Sequence, residues 1–228
     1  MIVYSNSCSY GKISDGKVYS EFVADYFGAT FINSGIASAC NERIIRTSVR
    51  DILNIIKSND PSSVLVLIGV TNTFRGELWG STPALHNDGH FYSFTSTTDF
   101  SKNSYLKEFY KAYDQEAAST NLCCQLVMLT SMLDYFNIRY LIWANTPHLK
   151  AIDWSANFVK PFYETIENNK NIISLFDFNF IDYIKNLGYE PLDKPYDQGG
   201  HANEMAHKEF SKFLIKKIND LHPTVSRV

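Results

Sequence analysis

Acyl transfer through a serine needs a nucleophile, a base to take its proton, an acid to orient that base, and donors for the oxyanion. This 228-residue chain holds residue types for each role, at positions far apart. Ser7 lies in Ser5-Asn6-Ser7-Cys8-Ser9-Tyr10-Gly11, directly after the apolar run Met1-Ile2-Val3-Tyr4. Strand, tight turn of small hydroxyl residues, then helix is how an α/β sheet presents a nucleophile at the carboxyl ends of its strands. A Ser-rich turn is more often only a turn, so its partners decide. Near the other end, Asp193-Lys194-Pro195-Tyr196-Asp197-Gln198-Gly199-Gly200-His201-Ala202-Asn203 forms a Pro- and Gly-built loop. It delivers carboxylates and an imidazole ahead of a last helix.

Strands and helices must carry these groups to one place. Met1 to Tyr4 reads as a buried first strand. Val18 to Phe27 has apolar residues (Val18, Phe22, Val23, Tyr26, Phe27) at helical spacing, with Gly28 to close it. Ala29 to Asn33 is a second short strand, stopped by Asn33-Ser34-Gly35. Glu42 to Lys57 is an amphipathic helix with a stripe of Ile44, Ile45, Val49, Ile52, Leu53 and Ile56. Val64 to Ile68 is continuously apolar, as central parallel strands are, and runs into Gly69-Val70-Thr71-Asn72. Gln115 to Tyr135 reads as a helix, Ile138 to Ala144 and Asn171 to Phe176 as strands, and Phe178 to Leu187 as a helix. The final helix runs from Asn203 to about Leu221.

Strands alternating with helices over residues 1–228 predict a single α/β domain, a three-layer α/β/α sandwich. Its parallel sheet should have about five strands in flavodoxin-like order. Residues 78–111 lack a clean period and read as an insertion shaping a substrate pocket. Its Trp79, Phe91, Tyr92 and Phe94 suit a sugar ring or an acyl chain equally. It also holds His86, Asp88 and His90, which would share one face if extended. A solvated loop is the favoured reading there, so no metal site and no cofactor is expected.

Three strand ends then offer polar groups on one edge of the sheet: Ser7, the Ser34 to Asn41 turn, and Thr71-Asn72. The loop with Asp197 and His201 can reach them. The Gly-x-Ser-x-Gly elbow of the α/β-hydrolase superfamily is absent, which argues against that superfamily without arguing against hydrolysis.

Composition narrows the partners. The net charge of -3, with no run of Lys or Arg, gives no footprint for nucleic acid or a membrane surface. No stretch nears the ~20 apolar residues of a membrane-spanning helix. No basic segment precedes the first apolar run, so no signal peptide is expected and a cytoplasmic setting is. Cys8, Cys40, Cys123 and Cys124 have no CxxC spacing and read as reduced thiols. Nothing here indicates an oligomeric state.

The ordered blocks resemble the SGNH (GDSL-type) hydrolases, most of all the divergent members common in bacteriophage genomes. Ser5 to Gly11 is similar to the family's G-[DC]-S-F-[TS]-x-G opening. Asn33 to Ile44 is similar to N-x-a-x-x-G-x-S-N-x-R-I, with Asn41, Arg43 and Ile44 in place and Ser38 for the Gly. Ile68, Gly69, Thr71, Arg75 and Glu77 match I-G-x-T-x-x-x-R-x-E. Asp197, His201, Asn203 and His207 match D-x-x-H-P-N and a second His, with one extra residue between Asp and His.

The resemblance implies an esterase, plausibly a carbohydrate acetyl esterase, with Ser7 as nucleophile, His201 as base and Asp197 as orienting acid. Asp193 is the alternative acid. The Ser7 and Ser38 N–H groups, with Thr71 or Asn72, would form the oxyanion hole. Arg43 and Arg75 become candidates for substrate contact, although an Arg43–Glu77 ion pair is the expected structural use. His207 is expected to be structural. Two rival readings stand beside this one. The first is a non-catalytic binding or virion component with the same fold. The second is a hydrolase or transferase using Arg43 and Arg75 on a phosphorylated or nucleotide substrate.

Overall fold

The structure is a computed structural model that describes residues 1–11, 16–79, 91–94, 108, 111–147, 160–193, 195–196 and 200–223. Four parallel strands run in the order β2-β1-β3-β6: β1 (Ile2–Ser7), β2 (Thr30–Asn33), β3 (Val64–Val70) and β6 (Arg139–Ala144). The expected fifth strand, Asn171 to Phe176, is reduced to one parallel bridge, Ile142 to Ile172, and a second bridge, Ala144 to Asn179, follows it. The helices are α1 (Tyr19–Tyr26), α2 (Asn41–Ile55), α3 (Gln115–Tyr135), α4 (Lys160–Glu167), α5 (Phe180–Asn186) and α6 (Glu204–Leu221). Helix α1 packs on α6, and α6 on α5; α2 packs on α3, and α3 on α4. The parallel sheet flanked by helices makes this an α/β fold.

All seven residues of β3 are buried, because a central parallel strand is covered on both faces. Side-chain alternation along β1 separates the two faces. Tyr4 and Asn6 turn to α2, where Asn6 Nδ2 donates to Ile44 O at 3.0 Å, Thr47 Oγ1 at 2.8 Å and Ser48 Oγ at 3.0 Å. Ser7, one residue on, turns the opposite way, toward Tyr19 of α1. A slip of one residue in β1 would exchange those environments.

The apolar stripe expected for α1 holds at Val18, Val23 and Phe27, which are buried, and is widened on one side. Tyr19, Ser20, Val23 and Ala24 are buried, whereas Phe22 and Tyr26 are only half-buried. Tyr19 is drawn inward by an aromatic box. Its ring lies 5.3 Å from Trp143, 5.4 Å from Phe180, 5.3 Å from His207 and 5.4 Å from Phe210, centroid to centroid. The region expected as irregular contains an antiparallel strand pair, β4 (Gly76–Trp79) with β5 (Phe91–Phe94). Among the described residues no helix is long and apolar enough to cross a membrane.

Candidate active site

Ser7 is the last residue of β1 and is fully buried. Its Oγ accepts two hydrogen bonds, from Asn145 Nδ2 at 2.7 Å and from Tyr19 Oη at 3.3 Å. Burial holds the Tyr19 phenol far above its ordinary range, so it stays a neutral donor. A hydroxyl has two acceptor sites and one proton, so this pairing leaves the Ser7 proton for a base. Two glycines make room for the arrangement. A Cβ on Gly11 would lie 2.6 Å from Ser7 Cβ, and one on Gly69 would lie 2.9 Å from Ser7 Oγ and 2.5 Å from Asn145 Nδ2.

In sequence Asn145 is one of several polar residues at strand ends. The register that reveals it is Ser7 opposite Gly69 and Gly69 opposite Trp143. Asn145 follows β6, two strands from Ser7, and reaches across the bare backbone of Gly69.

His201 is held from several sides. Its Nδ1 lies 2.8 Å from Asp193 Oδ2, and its backbone N–H donates to Asp193 Oδ1 at 2.8 Å. Its carbonyl accepts from Leu192 N at 2.8 Å. A carboxylate can only accept, so the imidazole proton belongs on Nδ1 and the lone pair on Nε2. The His201 ring lies 5.7 Å from that of Tyr10, in the 3-10 turn Ser9–Gly11 directly after Ser7. Asn203 caps α6, its Oδ1 accepting from Ala206 N at 2.9 Å while its Nδ2 binds Glu190 O at 3.0 Å. Asp193 is therefore the carboxylate in contact with the imidazole. Asp197 lies outside the described residues.

The Ser38 loop is stitched to the Ser7 strand and the turn after it. Ser34 N donates to Ser5 O at 2.8 Å, Ile36 N to Ser7 O at 3.2 Å, and Asn33 Nδ2 to Gly11 O at 3.0 Å. Ser38 has φ +62°, a left-handed conformation that strains residues bearing a Cβ and suits glycine. This is the backbone shape that the glycine expected there by resemblance would adopt. Ser38→Gly should raise stability by about 1 kcal/mol. Urea unfolding checks this, and a destabilised variant would show that the Ser38 side chain makes a compensating contact.

At the end of β3, Thr71 N donates to Asn41 Oδ1 at 2.8 Å, and Asn41 Nδ2 donates to Thr71 O at 2.9 Å. The Thr71 N–H is therefore engaged, and its buried Oγ1 has no hydrogen-bond partner among the described residues. Asn72 Oδ1 is likewise buried without a partner there. Arg75 Nη1 donates to Ala39 O at 3.3 Å and Arg43 Nη1 to Ser34 O at 3.2 Å, both bracing the Ser38 loop. The bidentate partner of Glu77 is Arg46, at 3.0 and 2.7 Å. This corrects the expected Arg43–Glu77 pair: Arg46 lies nearly one helical turn further along α2.

His207 sits beside this site without a hydrogen-bond partner at either ring nitrogen among the described residues. It is fully buried, and its ring stacks on Phe180 at 5.3 Å. Burial, reinforced by nearby His201, pushes its pKa down from 6.5 to about 3. Below pH 6.5 the unfolded chain takes up a proton that the folded one refuses until about pH 3. The neutral His207 therefore gives full stability above that window. As pH falls through it, up to about 1.4 kcal/mol is lost per pH unit. His207→Leu should flatten this acid slope in unfolding curves taken at several pH values; an unchanged slope would assign it to other groups.

Among the described residues, no three His, Cys, Asp or Glu side chains gather as a metal set. His86, Asp88 and His90 lie outside them, as do the side chains of Trp79, Phe91, Tyr92 and Phe94.

The parallel sheet flanked by helices is similar to the folds of several solved structures. TesA resembles it with a TM-score of 0.50 at 11% identity, over 97% of this chain and 99% of that one. A member of the lipolytic protein G-D-S-L family from Veillonella parvula DSM 2008 has TM-score 0.48 at 12% identity, over 98% of both chains. The acetyl xylan esterase AlAXEase has TM-score 0.47 at 13% identity, over 97% of this chain and 100% of that one. In sequence, the model of a family of unknown function, DUF6071, matches residues 6–173, and the chain belongs to that family. No curated protein matches it in sequence.

Proposed function

We propose that this protein is a serine esterase of the SGNH type, acting through an acyl-enzyme on Ser7. One observation carries the reading: the Ser7 hydroxyl is held at a strand's carboxyl end by two donors, and the His201–Asp193 pair packs over the turn that follows it. In the proposed reaction His201 takes the Ser7 proton and Oγ attacks the ester carbonyl. Asp193 holds the imidazole and stabilises the imidazolium. The alcohol leaves with the proton from His201, and water, activated by the same base, releases the acid. Backbone N–H groups of Ser7 and Ser38, with the Thr71 hydroxyl or Asn72, are the proposed oxyanion donors.

An acetyl ester on a carbohydrate is the proposed substrate class. Arg43 and Arg75, which a phosphorylated substrate would need, each give one donor to a loop carbonyl. A phage origin, suggested by the sequence blocks, and a cytoplasmic setting belong to the same proposal. Fluorophosphonate labelling followed by peptide mapping, with a panel of acetylated sugars and nucleotide esters, tests it. Labelling at Ser7 with turnover of acetyl esters is expected. An unlabelled Ser7 and no ester turnover would favour a binding protein on this fold.

A further inference from the structure

We infer that Asn145 is a catalytic residue of this site: the side-chain donor that holds Ser7 Oγ and stabilises the charge that develops during acyl transfer. The inference rests on the serine-esterase reading above. At the end of β3 the Thr71 N–H is committed to Asn41, and the next strand, β6, brings a carboxamide of its own, Asn145, to Ser7.

Asn145 is fully buried, and every polar group it carries has a partner. Its N–H donates to Val70 O at 2.8 Å and its carbonyl accepts from Ile181 N at 3.2 Å, which anchors the backbone at both ends. Its Oδ1 accepts from Trp143 Nε1 at 3.0 Å. An indole nitrogen can only donate, so this contact decides which way the amide faces: oxygen to Trp143, NH2 to Ser7. The NH2 group donates to Ser7 Oγ at 2.7 Å and to Cys8 Sγ at 3.8 Å. Sulfur is a weak acceptor, so one N–H holds the nucleophile and the other has a partner it can readily exchange for an oxyanion. Gly69 keeps this route open, because a Cβ there would lie 2.8 Å from Asn145 Oδ1 and 2.5 Å from Nδ2.

The chemistry follows from that geometry. As the Ser7 proton passes to the base, negative charge grows on Oγ, and the Asn145 donor is already aimed at it. When Oγ bonds to the ester carbonyl carbon, the carbonyl π pair moves to the oxygen, and the charge moves with it. In this proposal the second Asn145 N–H, held by the weak acceptor Cys8 Sγ, turns to that oxygen, and removing an oxyanion donor usually costs about 10²- to 10³-fold in kcat.

Asn145→Asp separates this role from a structural one. The carboxylate keeps the shape and still accepts from Trp143, but it has no proton for Ser7. Steady-state kinetics on an activated acetate ester at pH 8, with thermal unfolding in parallel, give the readout. The expected result is a fall of about 10²-fold or more in kcat with KM little changed, and partial recovery toward acid pH, where the carboxyl regains a proton. Asn145→Ser, too short to reach Oγ, should show the same loss without the acid recovery, and it serves if the Asp variant does not fold. Wild-type protein silent on every ester would take down the esterase reading and this inference with it. Active wild type, with either folded variant within about fivefold, would overturn the role of Asn145 alone.

Discussion

Ser7→Ala should lower hydrolysis of an activated acetate by about four orders of magnitude and abolish fluorophosphonate labelling. Ser7 is the hydroxyl at the carboxyl end of β1 that two fixed donors grip, and its proton is the one left for a base. The substitution also leaves the Asn145 amide and the Tyr19 phenol without their acceptor in a buried place. That should cost about 1–3 kcal/mol of stability, so unfolding must be measured beside activity. A folded Ser7→Ala variant within tenfold of wild type would place the nucleophile elsewhere.

Asp193→Asn should reduce turnover about a hundred- to ten-thousandfold. The Asp193 carboxylate contacts both the ring Nδ1 and the backbone N–H of His201, so it sets the ring's orientation and tautomer. An asparagine keeps the backbone contact but offers no charge to the imidazolium formed as Ser7 attacks. The pair is partly exposed, with side-chain exposures of 33% for His201 and 45% for Asp193. Water there softens the loss, which is why the expected range is wide. Asp197→Asn is the matched comparison, from the same loop with the same chemistry, and should stay near wild type. The reverse order would assign the orienting role to Asp197. His201→Ala should match Ser7→Ala, because nucleophile and base act as a unit.

Much of the frame was legible in the chain. Apolar runs such as Val64 to Ile68 announced central parallel strands, because a strand covered on both faces buries most of its side chains away from water. The long amphipathic helices followed from periodicity, and α3 has the limits that its pattern predicts, Gln115 to Tyr135. The strand–turn context singled out Ser7, and the Pro- and Gly-built loop singled out His201. These are local signals, carried by residues adjacent in sequence.

Partnerships were decided only by the tertiary structure. Asp193 and Asp197 both precede His201 in sequence; Asp197 lies outside the described residues, and Asp193 is in contact with the imidazole. The antiparallel bridge between Pro191 and Ala202 is what folds the loop back and sets Asp193 against the imidazole. Arg43 and Arg46 are three residues apart on one helix, and helix geometry alone does not say which guanidinium meets Glu77. Asn145 is the clearest case. Its place beside Ser7 depends on the β1-β3-β6 strand order, on the register that puts Gly69 between Ser7 and Trp143, and on the missing side chain at Gly69. The chain fixes each residue's identity and local shape. A contact between residues 138 positions apart exists only once the sheet has set its order, because strand pairing, unlike helix periodicity, is settled by the packing of the whole domain.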